Sequence, residues 1–165
     1  MSTTEAYLAR LDAVEGRLAT AADAEPPPGS LTDADAETGE QWERGQVWAH
    51  LSEFIPYWIA QAGPVLQTQR SDALVPFGRT KRDPERIGAI ERDRHQPVSL
   101  LWGETRRDIA ALRTFLSTIG PDQWATTGVH PTLGPMSIDE LVERFLVGHL
   151  EEHADQLEGM TSSAS

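Results

Sequence analysis

The sequence predicts an all-α protein, an antiparallel bundle of four helices with long crossover loops. Three observations favour this fold class. Four stretches place apolar residues three or four positions apart, which is the spacing of one face of an α-helix. No stretch alternates convincingly between apolar and polar residues, as a half-buried strand would. Clusters of proline and glycine separate the four stretches, and four amphipathic helices in one short chain are typical of a bundle.

The first helix is predicted at residues 2–20. Ser2 and Glu5 have the spacing of a capping box, and the apolar stripe that follows comprises Tyr7, Leu8, Leu11, Val14 and Leu18. Three consecutive prolines, at residues 26–28, cannot continue a helix. The acidic run that leads from them to Glu40 contains few apolar residues, so it is predicted to be a solvated, mobile surface loop.

The second helix is predicted from about Trp42 to Gln69, and its apolar stripe comprises Val47, Leu51, Phe54 and Trp58. Pro56 lies inside this pattern and is expected to kink the helix or to force a wide turn. Pro64 is a second interruption, which leaves the far end of the helix undefined. Residues 71–82 contain proline, glycine and mixed charges, and this composition predicts a loop.

Asp83 and Pro84 predict the start of the third helix, because aspartate is a typical cap and proline a typical first helical residue. Pro97 then breaks or restarts this helix. Its main part carries the apolar residues Leu100, Leu101, Ile109, Leu112, Phe115, Leu116 and Ile119. Residues 121–136 are predicted to be an irregular connection. A capping box at Ser137 opens the fourth helix, which is predicted to reach about Glu158 and to leave residues 161–165 as a disordered tail.

Length and composition limit the function classes. The chain of 165 residues suits one domain, placed at residues 1–160, and its hydrophobic share of 39% is ordinary for a soluble protein. No apolar run approaches the roughly 20 residues of a membrane helix, and residues 1–7 carry no signal peptide, so a cytoplasmic location and no membrane partner are expected. A net charge of −12 argues against nucleic acid as a partner.

The strongest candidate site is a pair of histidines on the fourth helix. His149 and His153 are four residues apart, so they lie on one helix face, and that face is the apolar one, shared with Leu141, Phe145 and Leu157. A neutral imidazole is the commonest protein metal ligand. Such a pair alone is weak evidence, because two buried imidazoles can also be satisfied by hydrogen bonds within an ordinary core.

A third ligand is available at His50, beside the apolar stripe of the second helix. The sequence has no cysteine, so a transition-metal site would have to use histidine and carboxylate. Facing helices of a bundle commonly build such sites in the core. Three imidazoles leave a coordination position for water or substrate, as in catalytic zinc sites. The opposing possibility is that Pro56 turns His50 outward and the three histidines do not converge.

Weaker candidates surround this constellation. Glu53, one turn after His50, could orient a ligand or act as a base, although a solvated surface role is the simpler interpretation. Arg94 and His95 could meet an anionic substrate or lie on the surface. His130, in a loop flanked by glycine and proline, could close over a pocket but is expected to be exposed.

Two groups of residues are also ambiguous. One group is aromatic and could line a cavity, although aromatic residues at helical spacing are more often core; it comprises Trp48, Tyr57, Trp58 and Trp102. The other is a local basic cluster in an acidic protein, which could attract a carboxylate but is diluted by nearby acids; it comprises Arg79, Lys81, Arg82 and Arg86.

Three segments together resemble the DinB-like superfamily. They are the run from Trp42 to Leu51, which contains Val-Trp-Ala-His-Leu, the long third helix with its arginines, and the run from Ser137 to His153 with its His-x-x-x-His. That superfamily includes mycothiol-dependent maleylpyruvate isomerases and bacillithiol-linked transferases. The resemblance covers nearly the whole chain in helix order, and the members differ in activity.

The resemblance implies a facial three-histidine site for a divalent ion, zinc or nickel, which maps onto His50, His149 and His153. It also implies a low-molecular-weight thiol as a possible cosubstrate, a small-molecule substrate and a possible homodimer. Lys81 is the only lysine beside many arginines, a bias that suggests a GC-rich genome and, by analogy, an actinobacterial host that uses mycothiol.

The function predicted from the sequence is that of a metal-dependent enzyme, either a thiol S-transferase or isomerase, or a metal-assisted hydrolase. The alternative is a non-catalytic helical binding protein whose metal site is vestigial or absent. No residue in the sequence specifies the substrate.

Overall fold

A computed structural model describes residues 1–68 and 73–162 of the chain. In this part of the chain the helices are α1 (Thr3–Asp23), α2 (Arg44–Gln67), α3 (Pro84–Asp93), α4 (Val98–Thr118), α5 (Ile138–Val142) and α6 (Gly148–Ser162). A π-helical turn, Glu143–Val147, joins α5 to α6, and a short 3₁₀ helix covers Pro121–Gln123. Two strands, β1 (Thr127–His130) and β2 (Gly134–Ser137), form a small antiparallel sheet. The chain is therefore mostly helical, as predicted.

The long helices enclose one apolar core. Helices α1 and α2 each pack against α4 and against α6, and α3 covers a further face of α2. The largest fully buried side chains include Trp48, Phe54, Leu11, Leu18, Ile109 and Leu112. Each such apolar side chain stabilises the fold by about 1.5–3 kcal/mol relative to exposure. None of the helices in residues 1–68 and 73–162 is long and apolar enough to cross a membrane.

The predicted helix starts are confirmed by their hydrogen bonds. At α1 the backbone N–H of Glu5 donates to Ser2 Oγ at 3.2 Å, and the backbone N–H of Ser2 donates to Glu5 Oε2 at 2.7 Å. Ser137 and Glu140 repeat this reciprocal pair at the start of α5. Such caps satisfy backbone donors that have no partner inside the helix.

Helix α2 continues through both of its prolines. Pro56 and Pro64 lie inside the helix, so the wide turn expected at Pro56 does not form. The predicted end of this helix, Gln69, and the start of the predicted loop at residue 71 lie outside the described residues. His50 stays on the helix face that meets α6, and the prediction that Pro56 could turn it away does not hold in this structure.

The connection predicted to be irregular contains the β-hairpin. Strands β1 and β2 pair from Thr127 opposite Ser137 to His130 opposite Gly134. The preceding loop adds two hydrogen bonds to β1, from Phe77 N to Val129 O at 3.0 Å and from Val129 N to Val75 O at 2.8 Å. Strands of four residues that contain glycine and proline leave almost no alternating pattern, so no strand was predicted here.

The last helix, predicted to end at about Glu158, continues into the segment predicted to be a disordered tail. Helix α6 includes Thr161 and Ser162, and the Thr161 hydroxyl donates to Leu157 O at 3.2 Å within the last turn. A hydroxyl that bonds back to the preceding turn supplies a local partner where the helix was expected to have ended. Residues 163–165 lie outside the described part of the chain.

Candidate metal centre

Three histidines converge between α2 and α6. His50 Nε2 lies 2.9 Å from His149 Nε2, which lies 3.0 Å from His153 Nε2. His50 and His153 are almost fully buried, at 2% and 4% exposure, whereas His149 is half-buried and faces a cavity. One nitrogen from each of the three can therefore contact a common point, and the cluster can hold a metal ion.

Each imidazole has an oxygen acceptor at its other nitrogen. Nδ1 of His50 lies 2.8 Å from Glu53 Oε1, Nδ1 of His149 lies 3.0 Å from Glu152 Oε2, and Nδ1 of His153 lies 2.8 Å from Gln156 Oε1. Every partner is three residues further along the same helix, where it lies on the same face. These oxygens assign the proton to Nδ1 in all three rings, which leaves a lone pair on each Nε2.

The convergence of three lone pairs fits a cation. Without a proton to share, nitrogens about 3 Å apart repel one another. Nitrogens that share an ion at about 2.0–2.1 Å each lie about 2.8–3.4 Å apart, for angles from roughly 90° to tetrahedral. The two measured separations fall in this range. Histidines that bind metal through one nitrogen usually donate the other N–H to an oxygen, and this pattern is present three times.

Burial keeps two of the three histidines, His50 and His153, in the form that binds metal. It lowers the pKa of His50 and of His153 well below the ordinary value, because the charged imidazolium loses its hydration, and the other histidines and Arg86 oppose the charge further. Both rings are therefore neutral near pH 7, and a neutral imidazole is the ligand form.

Glu53 is a largely buried partner of His50 and not a solvated surface residue. Its side chain is 12% exposed, and Arg79 Nη2 donates to both of its oxygens at 2.6 and 2.7 Å. Burial raises the pKa of Glu53, and the Arg79 charge opposes this shift. The guanidinium also lies over the Tyr57 ring at 4.0 Å. Glu53 thus orients His50, and Arg79 orients Glu53.

His130 was expected to be exposed, and this was wrong. Its exposure is 3%, and its ring stacks on Phe145 with centroids 5.3 Å apart. Nδ1 accepts the backbone N–H of Thr132 and of Leu133, so the proton is on Nε2, which donates to Arg79 O at 3.1 Å. The hairpin turn supplies these donors, which a sequence without a predicted hairpin could not indicate. His130 anchors the backbone of the residue that holds Glu53.

Two aromatic rings form the walls of the cluster. Trp42 lies with its centroid 5.4 Å from that of His50 and 6.3 Å from that of His153, and Phe54 lies 4.9 Å from His149. Trp42 was not predicted to belong to the site. It precedes α2 and is held by Thr32, whose backbone N–H donates to Trp42 O at 2.9 Å. Because Trp42 lies outside the helix, the periodic spacing of helical residues does not indicate its role.

Two cavities are lined in part by His149. One, of about 120 Å³, reaches both His149 and His153 and is lined by Trp42, Arg86 and several acidic residues of the 31–40 segment. The acidic loop, predicted to be a solvated connection, therefore forms a wall of the site. The other cavity, of about 640 Å³, runs from His149 and Glu152 to Arg144, Phe145 and His130.

The remaining candidates lie elsewhere. Arg94 donates to Glu43 at 2.8 Å and to Glu91 at 3.1 Å, and it lines neither of the two cavities at His149. His95 is exposed. Trp48 is fully buried against Trp102, which makes this pair part of the core. Trp58 stacks on Phe145 at 4.0 Å and thereby supports the second cavity.

The π-helical turn that precedes His149 and His153 was also not predicted from the sequence. It occupies Glu143–Val147 and ends at Gly148, directly before His149. A Cβ on Gly148 would lie 2.1 Å from Glu143 O, so this turn requires glycine there. Turns of this kind appear frequently at functional sites.

Comparison with known proteins adds no assignment, because no protein-family profile, no curated protein and no solved structure matches this chain.

Proposed function

We propose that this protein is an enzyme of the DinB-like type that uses a divalent metal ion to transform a small molecule. In this proposal its helices form the antiparallel four-helix bundle of that superfamily. The observation that carries the proposal is the convergence of three Nε2 lone pairs, each fixed by an oxygen at Nδ1. An imidazole cluster kept only for packing would not need three oriented lone pairs within about 3 Å.

His50, His149 and His153 would hold the ion, and zinc or nickel suits an all-imidazole site. When bound, such an ion can polarise a carbonyl, activate water or hold a thiolate. The protein's own side chains orient the metal ligands, exclude water and place the site beside the cavities. Glu53 and Gln156 orient the buried imidazoles, Trp42 and Phe54 exclude water, and half-buried His149 places the site at two cavities.

The reaction we propose is thiol transfer, thiol-dependent isomerisation or metal-assisted hydrolysis. Support for a thiol cosubstrate comes from the sequence resemblance. The cavity of about 640 Å³ beside His149 is large enough for part of a small molecule, and ligand sites of this kind usually lie in such clefts.

Elemental analysis of protein purified without a histidine tag tests the metal. We expect close to one zinc or nickel per chain, and a His50→Ala variant with little or none. If the metal is present, thermal-shift measurements with mycothiol and related thiols test the thiol branch. A stoichiometry that stays below about a tenth of a metal per chain after zinc or nickel is added would overturn the proposal. A metal-bound protein that shifts with no thiol and hydrolyses no small substrate would favour a non-catalytic binding protein.

A further inference from the structure

Arg86 is the basic residue of the first cavity that has no acidic partner. It extends from α3, with its guanidinium carbon 5.3 Å from the centroid of the Trp42 ring, and it lines the cavity that reaches His149 and His153. Within the described residues, the one hydrogen bond of its guanidinium group runs from Nη1 to Lys81 O at 2.9 Å. Nε and Nη2 have no acceptor in the described chain.

Of the neighbouring cations, Arg79, Lys81 and Arg94 are paired with carboxylates, whereas Arg82 is exposed to solvent. Arg79 binds Glu53, Lys81 binds Asp35 and Glu37, and Arg94 binds Glu43 and Glu91. Within residues 1–68 and 73–162, no carboxylate lies within ion-pair distance of Arg86. Burial lowers the pKa of Arg86, with the attraction of Glu53 as the largest opposing effect. A partly buried cation without an acidic partner costs free energy, so its position beside the three histidines points to a ligand.

The geometry points to a carboxylate group of a small molecule, bound by Arg86 beside the three histidines, as the ligand of this cavity. This inference rests on the proposed function, because the same molecule would present its reacting group to the metal centre. A guanidinium whose Nε and Nη2 donors are both free matches a carboxylate, which it can bind through two parallel hydrogen bonds.

The charges around the cavity select a singly charged anion. Asp33, Asp35, Glu40 and Glu152 line the same space. Asp35 is bound by Lys81, and Glu152 by His149, whereas Asp33 and Glu40 are exposed. At any given distance, these carboxylates repel a phosphate dianion about twice as strongly as a carboxylate monoanion, since the Coulomb energy scales with charge. The volume of about 120 Å³ also admits only a small group, so the remainder of the molecule must lie outside this cavity.

The test uses the full chain, zinc-loaded and zinc-free, with acetate and inorganic phosphate as probes followed by NMR titration. Arg86→Gln removes the guanidinium, and Arg82→Gln is the matched control, because Arg82 is exposed, belongs to the same basic segment and does not line this cavity. We expect acetate to bind more tightly than phosphate, Arg86→Gln to weaken acetate binding about tenfold or more, equal to about 1.4 kcal/mol, and Arg82→Gln to leave it unchanged. Arg86→Lys should restore part of the affinity.

Absence of acetate binding, or equal affinity in the wild-type and Arg86→Gln proteins, would overturn the inference. Two results separate its failure from that of the proposed function. Zinc binding at one ion per chain with acetate affinity independent of Arg86 removes the inference alone. Acetate binding that depends on Arg86 in a protein that takes up no metal removes the proposed function alone.

Discussion

The Nδ1 atom of His50 lies 2.8 Å from Oε1 of Glu53, a carboxylate with only 12% of its side chain exposed. This relationship determines which nitrogen of His50 is free. Since Nδ1–H donates to the carboxylate, Nε2 presents its lone pair toward His149. Arg79 holds the carboxylate, and His130 holds the backbone of Arg79, so the orientation of one imidazole depends on a loop and a hairpin as well as on α2.

Replacement of Glu53 by glutamine should weaken zinc binding by about 10- to 100-fold, the usual effect of changing the hydrogen-bond partner of a metal-bound histidine. Glutamine can still accept the His50 proton, but it loses the charge that makes the imidazole a stronger donor and it leaves Arg79 without its partner. Competition with a chromophoric zinc chelator measures the change.

Glu152→Gln is the matched control for this variant. Glu152 makes the same contact to Nδ1 of His149, but its side chain is 70% exposed, so solvent screens its charge. We expect a clearly smaller loss of zinc affinity than for Glu53→Gln. Equal losses in the two variants would show that burial of the carboxylate is unimportant.

His149→Ala should separate metal binding from folding. In the metal-free protein this histidine brings an Nε2 lone pair close to two others, so its removal should leave the melting temperature unchanged or raise it. Zinc stabilises the wild-type protein by mass action, and this increase in melting temperature should disappear in the variant. Calorimetry with and without zinc measures both effects, with the exposed His95→Ala as the control. A variant that kept its full zinc response would contradict the ligand assignment.

Local signals made most of the helical fold predictable, and long-range contacts account for what was missed. The capping boxes at Ser2 and Ser137 and the spacing of His149 and His153 depend on residues within one turn, so sequence alone identified them. The position of Trp42 depends on a contact with Thr32, which lies well beyond one helical turn. The burial of His130 depends on a hairpin that was not predicted and on a contact with Arg79, far away in the sequence. A solvated role for Glu53 was expected because its partner, Arg79, is 26 residues away.

Acid should destabilise the metal-free protein. Burial lowers the pKa of His50, His130 and His153, so the unfolded chain binds protons on these residues at a pH where the folded chain does not. The associated stability is fully present above the ordinary histidine pKa of about 6.5 and is lost as the pH falls from there toward the lower folded-state values. Urea titrations of metal-free protein between about pH 8 and pH 5 measure the free energy of unfolding. A free energy that rose on acidification through this range would contradict the assignment of neutral, buried rings.

Gly148→Ala should reduce zinc affinity and stability together. The added Cβ would lie 2.1 Å from Glu143 O, a backbone atom that cannot move without changing the π-helical turn. This turn determines the direction in which the next residue, His149, leaves the helix. A shift of the backbone there therefore displaces one of three nitrogens whose separations already match a shared ion.

Gly159→Ala is the control within the same helix. A Cβ at Gly159 meets no atom within 4 Å, and alanine in a helix should stabilise the protein by about 0.4–1 kcal/mol, since it restricts the unfolded chain. We expect Gly159→Ala to keep wild-type zinc affinity. For Gly148→Ala, we expect the loss of zinc affinity to be larger than its loss of folding stability, measured at saturating zinc, can explain. If Gly148→Ala instead kept zinc affinity while it lost stability, the π-helical turn would be needed for packing and not for placing His149.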